Sequence, residues 1–255
     1  MTDTLLQARG LSKHFGGLKA VDQVDLDIHT GEILGLLGPN GAGKTVFFNL
    51  ISGVYRPTGG TVHFQGDRID GLPSHRVAAR GIGRTFQIVK PFASLTVLEN
   101  VLVARGITRY GTFRRLWGPW QSKSETRAAM ETLERVGLAE LAGRKAGLLP
   151  LGNLRRLEIA RALVVGHQLI LLDESFSGLR HEEIDQLETL IRRIRDDGIT
   201  VLLIEHNMRV TMGLCDRIVV LDHGRKIAQG NPQAIQENDL VIEAYLGSRG
   251  GRHAA

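Results

Sequence analysis

The chain holds one cysteine, Cys215, in 255 residues. That excludes an internal disulfide and a metal site built on several thiolates, and it fits a reducing compartment. No run of about 18 apolar residues occurs, so no segment is expected to cross a bilayer as a helix. Met1 to Gly10 lacks the apolar block of a secretory leader, and none is expected. Internal repeats and low-complexity tracts are absent. So are zinc-finger and RNA-binding-sheet motifs, and no nucleic-acid partner is expected. The imbalance of charge is modest: 32 Lys+Arg against 27 Asp+Glu give +5, with a pI near 9.6. Such an excess suits anionic ligands, whether nucleotides, nucleic acid or acidic lipid headgroups, without choosing among them. Apolar residues at 42% and charged residues at 23% are ordinary globular usage, which excludes wholesale disorder. The length suffices for one large α/β domain, or one domain with a small subdomain.

What is present is a succession of short apolar strands and amphipathic helices. Leu5–Leu11 and Val24–Ile28 read as strands. The second alternates apolar and acidic residues, as a half-exposed antiparallel strand does. The continuous apolar run ending at Leu37 predicts a buried strand, followed by a glycine turn and a helix over Thr45–Ser52. Thr61–Phe64 and Gly83–Phe86 read as strands. Thr96 is expected to cap a helix over Val97–Ala104, with Glu99 closing a capping box. Residues 105–124 read as loop, Glu125–Val136 as a helix ended by Gly137, and Leu154–Leu163 as another helix. Leu169–Leu172 and Thr200–Ile204 are predicted buried strands. His181–Arg195, with Ile184, Leu187, Leu190, Ile191 and Ile194 on one face, is a helix closed by Gly198. Arg217–Leu221 and Lys226–Ala228 form a predicted hairpin around His223–Gly224. Strands alternating with helices in the second half imply a parallel sheet covered on both faces. Cys215 is expected as a packed thiol at a helix end.

Gly38-Pro39-Asn40-Gly41-Ala42-Gly43-Lys44-Thr45 matches G-x-x-x-x-G-K-[ST] between a buried strand and a helix. A triphosphate is a dense anion that needs several donors at close range. Glycines let main-chain N–H groups turn inward, and the helix that follows adds its positive N-terminus. Lys44 would reach the β- and γ-phosphates, and Thr45 would offer its hydroxyl to Mg²⁺, with Val46 next in the helix. Leu169–Leu172 runs into Asp173 and Glu174. Two acids at the carboxyl end of a buried strand are, taken alone, more often ordinary acids capping a strand; beside the phosphate turn they suit metal holding by Asp173 through its water shell and activation of the attacking water by Glu174. His206, just beyond another buried strand, is placed to hydrogen-bond a γ-phosphate, as against being a surface or satisfied core histidine. Gln87 is either a contact to Mg²⁺ and water or a plain loop residue. Phe15 either stacks on an adenine ring or simply packs.

These elements in this order resemble the ATP-binding subunits of ABC transporters over essentially the whole chain. The matching positions are Phe15 (A-loop), Gly38–Thr45 (Walker A), Gln87 (Q-loop), Leu149–Asn153 (signature), Leu169–Glu174 (Walker B) and His206 (H-loop). Within the family the chain looks most like the ATPases of branched-chain amino acid importers. The pointers are Arg84-Thr85-Phe86-Gln87, Leu95–Val101, Arg155–Leu163 and Val241–Gly247. The resemblance implies an α/β fold: a RecA-like P-loop NTPase core with an antiparallel β subdomain and a helical signature subdomain. The expected division is a core over 1–87 and 161–247, a helical subdomain over 88–160 and a loose tail over 248–255. It implies ATP as substrate, Mg²⁺ as cofactor, and Glu174, His206 and Gln87 as catalytic residues. Gly38 to Val46 and Phe15 hold the nucleotide, and Thr45, Gln87 and Asp173 hold the metal. It implies a second ATPase subunit closing head to tail, two membrane permease subunits, and indirectly a periplasmic solute-binding protein. The place would be peripheral, on the cytoplasmic face of the inner membrane. Ile88–Leu95, with Pro91 and Phe92, would receive the permease. Two other functions compete: a homodimeric ATPase of the lipopolysaccharide-export type, and a nucleotide-gated subunit with little hydrolysis of its own.

The chain departs from the family pattern at three places. The usual Leu-Ser-Gly-Gly-Gln signature reads Leu149-Pro150-Leu151-Gly152-Asn153, without the serine hydroxyl, and Pro150 has no N–H to donate. Ser175 stands where proline is usual after Glu174. Ser177-Gly178-Leu179 leads to Arg180, a cation where an acid or amide is usual. All three lie on the side implied to face the partner's nucleotide, which fits either a different subunit as partner or neutral drift in a tolerant motif whose helix dipole and glycine contacts suffice. Arg105, Arg109, Arg114, Arg115, Lys123 and Arg127, near Trp117 and Trp120, form a basic stretch. It suits either anionic lipid or permease contact, or a solvated surface insertion.

Overall fold

The computed structural model describes residues 3–85, 90–107 and 123–246. In chain order the strands and helices are β1 (Thr4–Phe15), β2 (Leu18–His29), β3 (Ile33–Leu37), α1 (Lys44–Ile51), β4 (Gly59–Phe64), β5 (Asp67–Arg68), α2 (Ser74–Ala79), β6 (Ile82–Arg84) and α3 (Val97–Ile107). There follow α4 (Lys123–Arg135), α5 (Leu151–Val165), β7 (Leu169–Asp173), α6 (His181–Asp196), β8 (Thr200–Ile204), α7 (Met208–Leu214), β9 (Arg217–Asp222), β10 (Arg225–Gly230), α8 (Pro232–Gln236) and α9 (Asp239–Leu246). They fall into two compact units: residues 1–72 with 202–255, and residues 73–201.

The first unit contains a four-stranded antiparallel sheet in the order β2-β1-β4-β5. Its acidic-apolar alternation does what a one-sided strand requires: Val24, Leu26 and Ile28 are buried, while Asp25 is exposed. The same unit holds β10, β9 and β3 side by side. β3 is parallel to β9, with Leu36 opposite Val219, and the β9–β10 hairpin turns at His223–Gly224. β8 is the next strand beyond β3, and its Leu202–Ile204 belong to this unit. Every residue of β3 and of β8 is buried, which explains why both read as unbroken apolar runs. Cys215 closes α7 and is buried, and that burial, helped by Asp216 and Glu205, pushes its thiol far up.

In the second unit β6 runs parallel to β7, with Arg84 opposite Leu171. The capping box at α3 is formed: Thr96 N–H and Oγ1 donate to Glu99 Oε2, and Glu99 N–H donates to Thr96 Oγ1. α6 buries Leu187, Leu190, Ile191 and Ile194 and ends before Gly198, at φ 87°. Two helix boundaries differ from expectation. α3 runs on to Ile107 and α4 begins at Lys123, so the ends of the expected 105–124 loop are helical. Arg105 lies there and bonds the Glu125 carboxylate. Residues 109–120 and the tail from 248 lie outside the described residues.

α5 carries an almost buried charge cluster. Arg155 and Glu158 are 3.5 Å apart, and Arg155 also donates to the Ser177 carbonyl at 3.3 Å. Arg161 donates to the Lys90 carbonyl and lies 5.3 Å over the Phe92 ring. Burial pushes the Glu158 carboxyl up to about 7, against the pull of Arg155 and Arg161. A raised carboxyl is most stabilising when neutral. Its contribution is complete below about pH 4.5 and is lost as pH rises through about 7. A displacement of that size is worth on the order of 3 kcal/mol. Glu158→Gln should therefore melt several degrees above the parent at pH 8, with the gap closing below about pH 5. Calorimetric melts across that range check it.

Candidate nucleotide site

The turn between β3 and α1 is left-handed at its glycines, with φ 146° at Gly38, 81° at Gly41 and 99° at Gly43. At Gly43 a Cβ would also overlap the Ala20 carbonyl, so both conformation and space demand glycine. Several carbonyls of the turn are engaged by the protein's own donors. Lys44 Nζ donates to Gly38 O at 2.6 Å and to Pro39 O at 3.0 Å, and the Gly224 N–H donates to Ala42 O at 3.1 Å. Ala42 N–H donates to Pro39 O at 3.2 Å. Lys44 is only 5% exposed, so its charge is concentrated at the turn rather than spent in solvent. Thr45 is exposed at the helix start, and Val46 is half-buried behind it.

Tyr245 lies in the Val241–Gly247 segment, and the sequence alone suggests no role for its side chain. Its hydroxyl accepts a 2.9 Å bond from the Gly38 N–H, so α9 is tied to the first residue of the turn. A cleft of about 630 Å³ flanks the turn on this side, lined by Pro39–Ala42 and by Leu240 and Glu243 of α9. The β9–β10 hairpin also braces the turn, and its Asp222 and His223 line the same cleft. Besides donating to Ala42, Gly224 accepts from the Asp22 N–H, and Asp22 is clamped by Arg225 at 2.7 Å. That bond holds the Asp22 carboxyl below its usual range.

Phe15 is 43% exposed and meets the Tyr55 ring edge-to-face, with centroids 5.5 Å apart. The Lys13 ammonium lies 5.1 Å from the Phe15 centroid. The Lys13 ammonium thus lies over the Phe15 ring, and the residue keeps part of its surface exposed.

In the second unit Asp173 ends β7 almost buried. Its Oδ2 accepts from Arg84 at 3.2 Å. Burial draws the Arg84 guanidinium down from its ordinary value, opposed by Asp173. Glu174 follows at φ 49°, a left-handed conformation that costs a non-glycine residue roughly 1–2 kcal/mol. Thr85 Oγ1 accepts from the Asp173 N–H at 3.1 Å and lies 3.3 Å from Ser175 Oγ. His206 is exposed just past the end of β8, in the first unit. Gln87 lies outside the described residues, as do Phe86, Ile88 and Val89. Phe92 is 45% exposed on a turn pinned by the buried Asn100, which both donates to and accepts from the Phe92 main chain.

The signature region corrects one expectation. Pro150 is the N-cap and α5 starts at Leu151, not Leu154, so Gly152 and Asn153 lie in its first turn. A proline pre-set at φ −64° favours that early start. Gly152 faces α6 closely, and a Cβ there would come 2.5 Å from Glu183 Oε1. Glu183 in turn accepts from the Arg180 N–H at 2.9 Å, which fixes the start of α6 at the unusual cation.

Among the described residues no cluster of three or more acidic, histidine or cysteine side chains exists that would hold a metal by protein alone. The Thr45 hydroxyl and the Asp173 carboxylate are hard oxygen donors. Magnesium commonly takes one or two such groups and completes its shell with phosphate and water, so each of these groups, within its own unit, is of a type that Mg²⁺ accepts.

A glycine turn of this make between a buried strand and a helix, with Lys44 and Thr45 at its end, defines a P-loop nucleotide-binding protein. The chain belongs to the ABC transporter family, whose profile matches residues 21–177, more than half its length, and it is an ATP-binding subunit with the RecA-like fold and ATPase activity of that family. A second profile, branched-chain amino acid ATP-binding cassette transporter, matches residues 225–250. The high-affinity branched-chain amino acid transport ATP-binding protein LivG of Escherichia coli (strain K12) is 44% identical over 97% of this chain and 99% of its own. The corresponding BraF of Pseudomonas aeruginosa is 42% identical over the same shares. Among solved structures, the ADP conformation of MJ1267, an ATP-binding cassette of an ABC transporter, superposes with a TM-score of 0.86 at 30% identity. It covers 96% of this chain and 100% of that one. No helix among the described residues is long and apolar enough to cross a membrane.

Tyr245→Phe removes the acceptor of the Gly38 N–H. A lost bond at a partly buried amide is worth about 1–3 kcal/mol. ATP affinity is expected to fall several-fold, and hydrogen exchange at Gly38 to rise, while the rest of the exchange pattern holds. Calorimetry and exchange mass spectrometry read the two effects.

Proposed function

We propose that this chain hydrolyses Mg²⁺-ATP to drive import of branched-chain or related amino acids through separate permease subunits. The observation that carries it is the turn Gly38–Thr45, whose Gly38, Pro39 and Ala42 carbonyls are occupied by Lys44 and Gly224. Main-chain amides of the turn and the Lys44 ammonium then grip the polyphosphate, and Phe15 supports the adenine. Thr45, Asp173 and Gln87 hold the magnesium, which when bound neutralises charge on the phosphate oxygens. Glu174 takes the proton of the water that attacks the γ-phosphorus, as the bond from that phosphorus to the bridging oxygen breaks. His206 hydrogen-bonds the γ-phosphate and holds it in line.

The solute class is supported by the 225–250 match and by the names of the two relatives. The partners proposed are two permeases, a periplasmic binding protein acting through them, and a second ATPase subunit, with this chain peripheral on the cytoplasmic face. The altered signature favours a different subunit as that partner, since a pair of identical chains would repeat the Pro150 and Arg180 departures at both sites.

Lys44→Ala should lower ATP affinity at least tenfold by calorimetry. Glu174→Gln should still bind ATP but lose turnover by about 10²–10⁴-fold. A Glu174→Gln protein with parental turnover would overturn the assignment of the base.

Affinity purification from membranes should recover import permeases with a second, non-identical ATPase. Export permeases with this chain alone would favour the lipopolysaccharide-export function. Brisk hydrolysis by the isolated chain would count against the unlike pair.

A further inference from the structure

We propose that Thr85 and Ser175 are a positioning pair for hydrolysis: their two buried hydroxyls bridge across Glu174 and hold it and Asp173 in working geometry. The proposal rests on the assignment of Glu174 as the base.

The carboxylate that must meet the water belongs to a residue at φ 49°. Left to itself a glutamate relaxes out of that conformation, so it persists only where the residues on both sides are fixed. Thr85 fixes both. Its hydroxyl accepts from the main-chain N–H of Asp173, directly before Glu174, at 3.1 Å. The same oxygen lies 3.3 Å from the hydroxyl of Ser175, directly after it. Thr85 and Ser175 are each 2% exposed, so water does not compete for these bonds. One hydroxyl has two lone pairs and one proton. A consistent arrangement has Asp173 N–H and Ser175 O–H donating to Thr85, and Thr85 donating to the Leu171 carbonyl 3.4 Å away.

Thr85 is itself anchored, its N–H donating to that same carbonyl at 2.9 Å. The neighbouring Arg84 holds the Asp173 carboxylate, so two consecutive residues beyond the Ile82–Gly83 core of β6 grip successive parts of the acidic pair. Ser175, a departure from the usual proline, thereby closes the bridge with a side-chain hydroxyl that proline lacks. Thr85→Val puts a carbon of similar size in place of one oxygen, and Ser175→Ala deletes the other; either change removes the bridge.

The test uses the transporter complex purified from membranes, with Thr85→Val, Thr85→Ser, Ser175→Ala, the Thr85→Val/Ser175→Ala double variant and Glu174→Gln. The expected result is a fall in kcat of about tenfold in Thr85→Val and Ser175→Ala, with ATP affinity within twofold of the parent. Thr85→Ser restores most of the rate. The double variant is no slower than Thr85→Val, because one bridge is lost only once. Amide exchange at Asp173–Ser175 accelerates in both single variants, independently of turnover. Should Thr85→Val fold poorly, Ser175→Ala against Thr85→Ser decides the matter. Parental kcat and exchange in Ser175→Ala overturn the pair, as does a loss of rate that follows melting temperature and affinity alike. If Glu174→Gln also keeps its turnover, the assignment of the base fails. If only Glu174→Gln is inactive, the base stands and the bridge falls.

Discussion

The nucleotide turn depends on carbonyls at Gly38, Pro39 and Ala42 that the protein satisfies with its own donors. A main chain that offers N–H groups to an anion also carries an equal number of oxygens, and each oxygen turned the same way would repel the ligand. Here Lys44 takes two of them and Gly224 a third, while Tyr245 receives the one N–H at the start of the turn. These partners come from α1, the β9–β10 hairpin and α9, elements spread over some two hundred residues. The fold of the first unit thus converges on a short backbone conformation that no local sequence preference would sustain.

The acid end of β7 follows a related rule with side chains. Asp173 sits nearly buried, and an isolated carboxylate there would be costly. Arg84 supplies the opposite charge and Thr85 the hydrogen-bond acceptor for its amide. Both come from β6 and the residue after it, and the sequence runs on directly toward Gln87. The stretch Arg84-Thr85-Phe86-Gln87 therefore combines a structural hold on the acids with a polar residue expected at the metal. The same hold keeps Glu174 in a conformation it would otherwise leave.

Periodicity made most of the elements legible. The all-buried β3, β7 and β8 read as apolar runs, and the one-sided α6 and β2 showed their periods directly. Glycine and the capping box marked the ends of α4, α6 and α3. The short helices went unnoticed because they have too few turns to display a period. Two of them nonetheless carried local signals: Asn207 caps α7, and Asn231 caps α8 with Pro232 at its first position. The start of α5 was misplaced because glycine and asparagine are weak helix formers, and Pro150 was weighed as a missing donor instead of as a helix start. Of the site, the phosphate turn and Asp173–Glu174 were plain because their chemistry lies in contiguous residues. Tyr245 was not, since its contact joins positions 207 apart in the chain. Ser175 read as a departure on the side implied to face the partner's nucleotide, and its contact with Thr85 was hidden because it joins positions 90 apart in the chain.

Cys215 carries a practical consequence. Its thiol is buried at the end of α7 and pushed far from ionisation, so alkylating reagents meet no competent native nucleophile while the protein is folded. Cysteines engineered on the surface, at the phosphate turn or on the exposed start of α5, would be the sole sites on this chain to take a maleimide dye or spin label. Opening and closing of an assembled transporter thus becomes measurable by distance spectroscopy with the native thiol left in place.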